Sequence, residues 1–334
     1  MNRRVRLLSV AASLPDDVRT SDDIESILSQ SGGYRPRKGF IQAMSGIRQR
    51  RVASDDTQCS DLAVSACRDV LKKANVAAAD VDLLIYASAC QDLIEPATSH
   101  LVQSKLGTDC PVFDVKNACN SFLNGVQLAE SLILSGAYKT ILVAVGEVTS
   151  RGIAWRPKNL KEFKRNMPGY TMGDAGAAAL FASSEEGGIY FRDFSSLSRH
   201  WNLTTVSGGG SMHPRGDEHM YIRSDAPKLK VAFREIGLPF VKRAMKDANA
   251  RYSDFVRIFV HQVSLPYLVD MLDESGIPRD KVEVTVDNLG NIAAASIPVA
   301  MSAAIDRGDV GPGDRVMCLG LASGISIGII MMDL

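Results

Sequence analysis

The chain lacks net charge: among its 334 residues, 38 Lys and Arg face 38 Asp and Glu. With no global field of either sign, nothing directs it to nucleic acid or to an anionic membrane surface. It also lacks long apolar runs, and no stretch approaches the roughly 18 residues a membrane-spanning helix needs. Cysteines are few, at 59, 67, 90, 110, 119 and 318, and no two form a C-x-x-C pair. That excludes a disulfide scaffold and favours a reducing, cytoplasmic location over secretion. The opening Met1-Asn-Arg-Arg-Val-Arg-Leu-Leu-Ser-Val-Ala-Ala has the basic-then-apolar order of a signal peptide. Its apolar part is short, contains Ser9 and runs into Leu14-Pro15-Asp16, so a first strand and turn are expected instead. His200, His213 and His219 share one stretch but lack the spacing and helical setting of a zinc site, so no metal is expected.

What is present suits an enzyme-sized globular protein. Hydrophobic residues make up 46% and charged residues 23% of the chain, enough for one large domain or two fused halves. An internal duplication favours the second. Residues 59–76 read as an amphipathic helix ending Lys73-Ala74-Asn75, and Asp80 to Ala87 as a buried strand. Residues 233–250 form a second helix ending Asp247-Ala248-Asn249, and Asp254 to His261 a second strand. Further on, Cys119 opens a helix ending near Gly136, followed by a strand from Thr140; Asn291 opens one ending near Gly308, followed by a strand from Arg315. Helices alternating with strands at these lengths predict parallel sheets covered by helices. The expected fold class is α/β, a five-layer α/β/α/β/α sandwich of two βα halves, 1–175 and 176–334. Segments 151–170 and 198–227 are expected as mobile insertions over the site.

Cys119 stands at the junction between the strand Pro111-Val-Phe-Asp-Val-Lys116 and the helix that begins around Phe122. Backbone N–H groups and the helix dipole at such a turn lower a thiol pKa and favour the thiolate. Alone, a cysteine there reads more often as a small buried hydrophobe. The duplication makes Asn291 its counterpart and puts His261 at a strand end, where ligands bind in such folds. His261 by itself also fits a hydrogen-bonded core histidine, and Asn291 a helix cap.

Five segments in order resemble the thiolase superfamily, and within it the β-ketoacyl-ACP synthase III group. They are Ser45-Gly-Ile-Arg-Gln-Arg50, Phe113-Asp-Val-Lys-Asn-Ala-Cys119, Met172-Gly-Asp-Ala-Gly-Ala-Ala178, Val260-His-Gln262 and Gly290-Asn-Ile-Ala-Ala-Ala-Ser-Ile-Pro298. The resemblance implies an acyltransferase of fatty acid biosynthesis with a Cys119–His261–Asn291 triad. Cys119 would take an acyl group from acyl-CoA, with coenzyme A entering as substrate and no resident cofactor. The acceptor would be malonyl-ACP, malonyl-CoA or a second acyl-CoA. One oxyanion donor would be the Cys119 amide and the other would lie in the closing loop at Ser323 and Gly324. Phe40, Arg48, Arg151 and Ser264 would meet the substrate, the first by stacking on adenine. A homodimer is implied, paired through the strand near 140–146.

The chain also departs from the family. His261-Gln-Val-Ser264 replaces His-Gln-Ala-Asn, and the stretch with Asp270, Asp273 and Glu274 would repel an acidic carrier. Ile94-Glu-Pro-Ala-Thr98 resembles the motif of the olefin-pathway branch, which joins two acyl-CoAs without decarboxylation. There Glu95, desolvated in an acyl tunnel, would act as base; otherwise it is an ordinary loop glutamate. An O-acyltransferase and a catalytically silent partner subunit stay open as alternatives.

Overall fold

Alternating burial along the strands sets the layers. The structure, a computed structural model, describes residues 4–334; Met1 to Arg3 of the signal-like start lie outside it. In chain order the strands are β1 (Arg4–Ser13), β2 (Val18–Thr20), β3 (Gln49–Arg51), β4 (Leu83–Ala87), β5 (Val112–Val115), β6 (Thr140–Val148) and β7 (Asp174–Ser184). Then come β8 (Gly188–Ser196), β9 (Thr204–Thr205), β10 (Arg223–Ser224), β11 (Arg257–Val260), β12 (Arg315–Ala322) and β13 (Ser326–Asp333). The helices are α1 (Ser21–Gln30), α2 (Phe40–Ser45), α3 (Cys59–Ala74), α4 (Thr98–Leu106), α5 (Ser121–Leu134) and α6 (Leu160–Asn166). They continue with α7 (Ala226–Asp247), α8 (Leu265–Ser275), α9 (Val286–Leu289) and α10 (Ser296–Asp306).

One sheet has the order β1-β7-β6-β4-β5 and the other β11-β12-β13-β8. On β4, Leu83, Ile85 and Ala87 face a core shared with α5 and α10, while Leu84 and Tyr86 face α3. On β12, Val316 and Cys318 face that same central core, and Met317, Leu319 and Leu321 face the core built with α7 and α8. Five layers result, with α5 and α10 in the middle, as expected. Each Leu or Ile so buried contributes about 1.5–3 kcal/mol.

The sheets are mixed, not parallel. β4 runs parallel to β5 and β6, and β11 to β12, but β7 is antiparallel to β1 and β6, and β13 to β8 and β12. β12 and β13 are joined by a tight hairpin at 323–325 with no helix to carry a crossover, which forces the antiparallel sense. The chain leaves the first sheet at Ser184 and enters the second at Gly188, so the expected division at 175/176 falls inside β7.

The duplication is visible in backbone detail. Asn75 and Asn249 both take the left-handed conformation that ends a helix, at φ 52° and 49°. Ala118 and Ala293 repeat it at φ 49° and 46°. The second half has no full counterpart of β5; a single parallel bridge from Ile258 to Val282 stands where β4 pairs with β5. Segment 151–170 is an ordered part of the core: Ile153, Phe163 and Tyr170 are buried against Ile24, Leu28 and Ile41. No described helix is long and apolar enough to cross a membrane.

Candidate active site

Cys119 projects from a tight turn between β5 and α5. Ala118 is held at positive φ because the Ser121 hydroxyl donates to its carbonyl at 2.7 Å and accepts the Asn117 N–H at 2.8 Å. A left-handed residue without glycine costs roughly 1–2 kcal/mol, and the hydroxyl bonds over-determine it. The same device appears before α10, where Ser296 donates to the Ala293 carbonyl at 2.9 Å. The two turns are 175 residues apart at both positions (293 − 118 and 296 − 121). The counterpart of Cys119 is therefore Ala294, not Asn291. α5 has 14 residues and α10 has 11, so matching the helices from their ends shifts the pairing.

The second turn carries one candidate residue, Asn291, and holds another, His261. Asn291 is 5% exposed, and its side-chain oxygen accepts the Ala293 N–H at 3.0 Å. Its backbone bonds Thr171 and Gly173, on either side of Met172. With the oxygen committed, the amide NH2 is left to donate. It caps a local turn rather than α10, whose N-cap is Ala295. His261 follows β11 directly, and its Nδ1 lies 3.1 Å from the Ser296 hydroxyl. Since that hydroxyl already donates to Ala293, it accepts from Nδ1–H, which assigns the tautomer and leaves a lone pair on Nε2. Nε2 is buried and has no hydrogen-bond partner among the described residues. Burial depresses the imidazole pKa from 6.5 to about 4, so the ring is neutral near pH 7.

Both turns meet on β12. His261 N–H donates to the Leu319 carbonyl at 3.0 Å. At the next residue, a Cβ added to Gly320 would lie 1.9 Å from Asn120 Oδ1, so only glycine allows the turn after Cys119 to press this closely. Asn120 Nδ2 also donates to Ser326 at 3.1 Å, beyond the hairpin that holds Ser323 and Gly324. The thiol itself is not the activated group that a strand-to-helix turn suggested. Burial, followed by the nearby Glu147 carboxylate, pushes Cys119 up to about 12 and outweighs its own backbone N–H.

Glu147 was invisible in the sequence, where it reads as a strand residue. It is fully buried, and its carboxylate accepts from Ala89 N–H at 2.8 Å, Cys90 N–H at 3.0 Å and Ala294 N–H at 3.3 Å. Ser121 and Ser296 were also missed, although Ala-x-x-Ser ahead of each helix is a readable repeat.

The remaining candidates scatter. Glu95 is exposed on the loop after β4, between Ile94, 69% exposed, and Pro96, and is not desolvated within its own chain. Phe40 packs at 5.7 Å from Phe163. Arg48 pairs with Asp287 at 2.9 Å, and Arg151 donates to the Gln58 side chain and to the Asp55 and Thr57 carbonyls. Ser264 caps α8. On α8 the acids are answered one by one: Asp270 by Lys230, Glu274 by Arg234 and Asp273 by Arg279. That stretch is thus not the repulsive face expected. β6 has neighbours on both sides, so it offers no edge for dimer pairing; the edge strands of this sheet are β1 and β5. A cleft of about 550 Å³, lined by Lys161, Lys164, Arg165, Arg223 and Lys228, contains none of the expected cations.

This fold, with a cysteine turn in one half and a polar turn in the other, is that of a thiolase-like condensing enzyme. The sequence model described as 3-oxoacyl-[acyl-carrier-protein (ACP)] synthase III matches residues 113–198, and the one for its C-terminal part matches 245–334. The β-ketoacyl-[acyl-carrier-protein] synthase III of Desulfitobacterium hafniense is 31% identical over 97% of this chain and 96% of its own. The chain belongs to the β-ketoacyl-ACP synthase III family. Among solved structures, Xanthomonas campestris OleA with bound lauric acid and lauroyl-CoA is similar with a TM-score of 0.88, at 25% identity, over 99% of both chains. The 3-oxoacyl-[acyl-carrier-protein] synthase III of Aquifex aeolicus has a TM-score of 0.85, at 25% identity, over 99% of this chain and 100% of its own.

Proposed function

We propose that Cys119 receives an acyl group from acyl-CoA and that a second thioester then takes it at its α-carbon, giving a β-ketoacyl product. The observation that supports this most is His261, neutral, buried and presenting an unpaired Nε2. The resting nucleophile is a thiol. As sulfur attacks the thioester carbonyl, its proton passes to Nε2 and the carbonyl becomes an oxyanion. The oxyanion is met by the Cys119 N–H and by the closing hairpin at Ser323 and Gly324. Collapse breaks the bond to CoA, whose thiolate takes the proton back from the imidazolium. In the second half-reaction the acceptor's thioester oxygen gains charge, and the Asn291 NH2 donates to it without titrating. The CoA phosphates are drawn to the cleft lined by Lys161, Lys164 and Arg165.

A second reading concerns the acceptor, and the likeness to Xanthomonas campestris OleA with bound lauroyl-CoA supports it, provided that a partner chain covers the exposed Glu95. Leu93, Ile94 and Phe113, on the edge strand β5, are exposed beside it. Two chains pairing along β5 would bury this patch and carry Glu95 toward the partner's site. There it would remove an α-proton from a second acyl-CoA, and no CO2 would be lost. With a malonyl-thioester, decarboxylation generates the carbanion and Glu95 is dispensable. Trapping of CO2 during turnover, with wild type and Glu95→Gln, separates the two. CO2 release with a mild variant supports malonyl chemistry. No CO2 and a severely impaired variant support the two-acyl reaction. Transfer to a hydroxyl with no new C–C bond would overturn both.

A further inference from the structure

The first half holds a buried carboxylate with no cation to balance it. Glu147 sits near the end of β6, opposite Ala175 of β7, and forms no ion pair among the described residues. Its pseudo-twofold counterpart, by the spacing of 175, is Ala322, so the feature is one-sided. Burying an unpaired carboxylate costs several kcal/mol, and three backbone N–H groups offset that here. Where those donors come from suggests a role. Ala89 and Cys90 belong to the loop that leads to Glu95, and Ala294 belongs to the turn that fixes Asn291 and, through Ser296, His261. No side chain other than Glu147 bonds both loops in the described residues.

We propose that Glu147 is a positioning residue of the condensing site: its carboxylate ties the turn bearing Asn291 to the loop bearing Glu95 and stands beside Cys119. This rests on the condensing reading above. The tie holds the second-half donors in register with a thiol carried by the first half. Burial first, and the carboxylate beside it second, keep that thiol protonated until a thioester and His261 Nε2 are both in place. The titratable groups facing Glu147 are Tyr86 from β4, Cys90 from the loop and Cys119 from the turn before α5. None is cationic, so Glu147 is the principal neighbouring charge felt by Cys119. Burial raises the pKa of Glu147 itself, and the backbone donors oppose this.

Two variants separate the tie from the charge. Glu147→Gln keeps an oxygen for Ala89 and Ala294 but turns an amide NH2 toward the Cys90 N–H. Glu147→Asp keeps the charge but withdraws it by about 1.5 Å from Ala294. The first readout is the rate of iodoacetamide modification of the Cys119 peptide against pH, followed by mass spectrometry, which needs no substrate. The second is single-turnover condensation starting from pre-acylated enzyme. With Glu147→Gln, alkylation at pH 8 should rise about three- to tenfold, since removing one pKa unit is a factor of ten. Condensation should fall about tenfold. With Glu147→Asp, alkylation should stay within about twofold of wild type while condensation again falls. An unchanged alkylation profile in Glu147→Gln, or unchanged condensation in either variant, overturns the proposal. If Glu147→Gln fails to fold, Glu147→Asp decides: condensation at the wild-type rate sinks the tie. Because alkylation is read without substrate, a failure of the condensing reading itself would appear separately, as absence of acyl-enzyme in the wild type.

Discussion

The turn before α5 and the turn before α10 are built alike and used differently. Each has an alanine at positive φ, a serine hydroxyl bonded back to that alanine's carbonyl, and a helix in the central layer. Between those fixed points the first turn carries Cys119 and the second carries Ala294. The second turn instead works from its flanks, with Asn291 two residues before Ala293 and Ser296 three after, the latter holding His261. The surroundings differ as well. A buried carboxylate lies beside the first turn, and its counterpart Ala322 is apolar. On the function proposed above, one duplicated scaffold gives a nucleophile on one side and hydrogen-bond donors on the other. Specialisation lies in the side chains around the turns and in loop lengths, and the turns themselves are shared.

The sharpest break in this comparison comes from removing the donor side while leaving the nucleophile. Asn291→Ala should lower condensation about 10²–10³-fold, with acyl-enzyme still formed, as rapid-quench mass spectrometry would read. Equal loss of loading and condensation would mean that the two turns do not divide the work.

His261 marks the donor side with a pH signature. Burial depresses its folded pKa to about 4, below the ordinary imidazole value of 6.5. Between these values the unfolded chain binds more protons than the native one, so stability is lost as pH falls from 6.5 toward 4. The slope amounts to roughly 3 kcal/mol over that window. Urea unfolding at pH 4.5 and pH 7 should show it in the wild type and a smaller difference in His261→Gln. Cys119 works in the opposite window: its raised pKa removes stability as pH climbs above the thiol range near 9.

The shared turn can be strained on either side. Ala118→Val and Ala293→Val should each cost about 1–3 kcal/mol, because a β-branched residue fits positive φ poorly. Matching losses in chemical denaturation would confirm that the turns are equivalent, whereas a large loss on one side only would break the comparison. The smallest effect belongs to the helix ends. Asn75→Gly and Asn249→Gly should both change stability by less than about 1 kcal/mol and by similar amounts, since glycine takes the left-handed conformation without penalty.

Much of this was legible from the chain. Helix-to-strand spacing carried the five layers and the duplication, because burial on one or two faces imposes a readable period. Cys119, His261 and Asn291 were legible as candidates through the repeat and the family motifs. The register of the repeat was misread at Asn291, since three residues lost from α10 are restored in the loop before β12. Strand sense was misread because a hairpin and a crossover leave similar strand patterns. The thiol's ionisation was misread because local dipole effects can be seen in sequence, while the burial of the turn, and after it the Glu147 carboxylate that β6 brings close, cannot. Glu95 could not be placed at all from one chain, since its surroundings depend on what covers the β5 edge.

The central claim is that Cys119 carries the acyl group, and intact-protein mass spectrometry after exposure to an acyl-CoA panel tests it most directly. Wild type should gain the mass of one acyl group, located on the Cys119 peptide, and Cys119→Ala should gain none. Equal labelling of both proteins, or labelling of the wild type at another residue, would contradict the account.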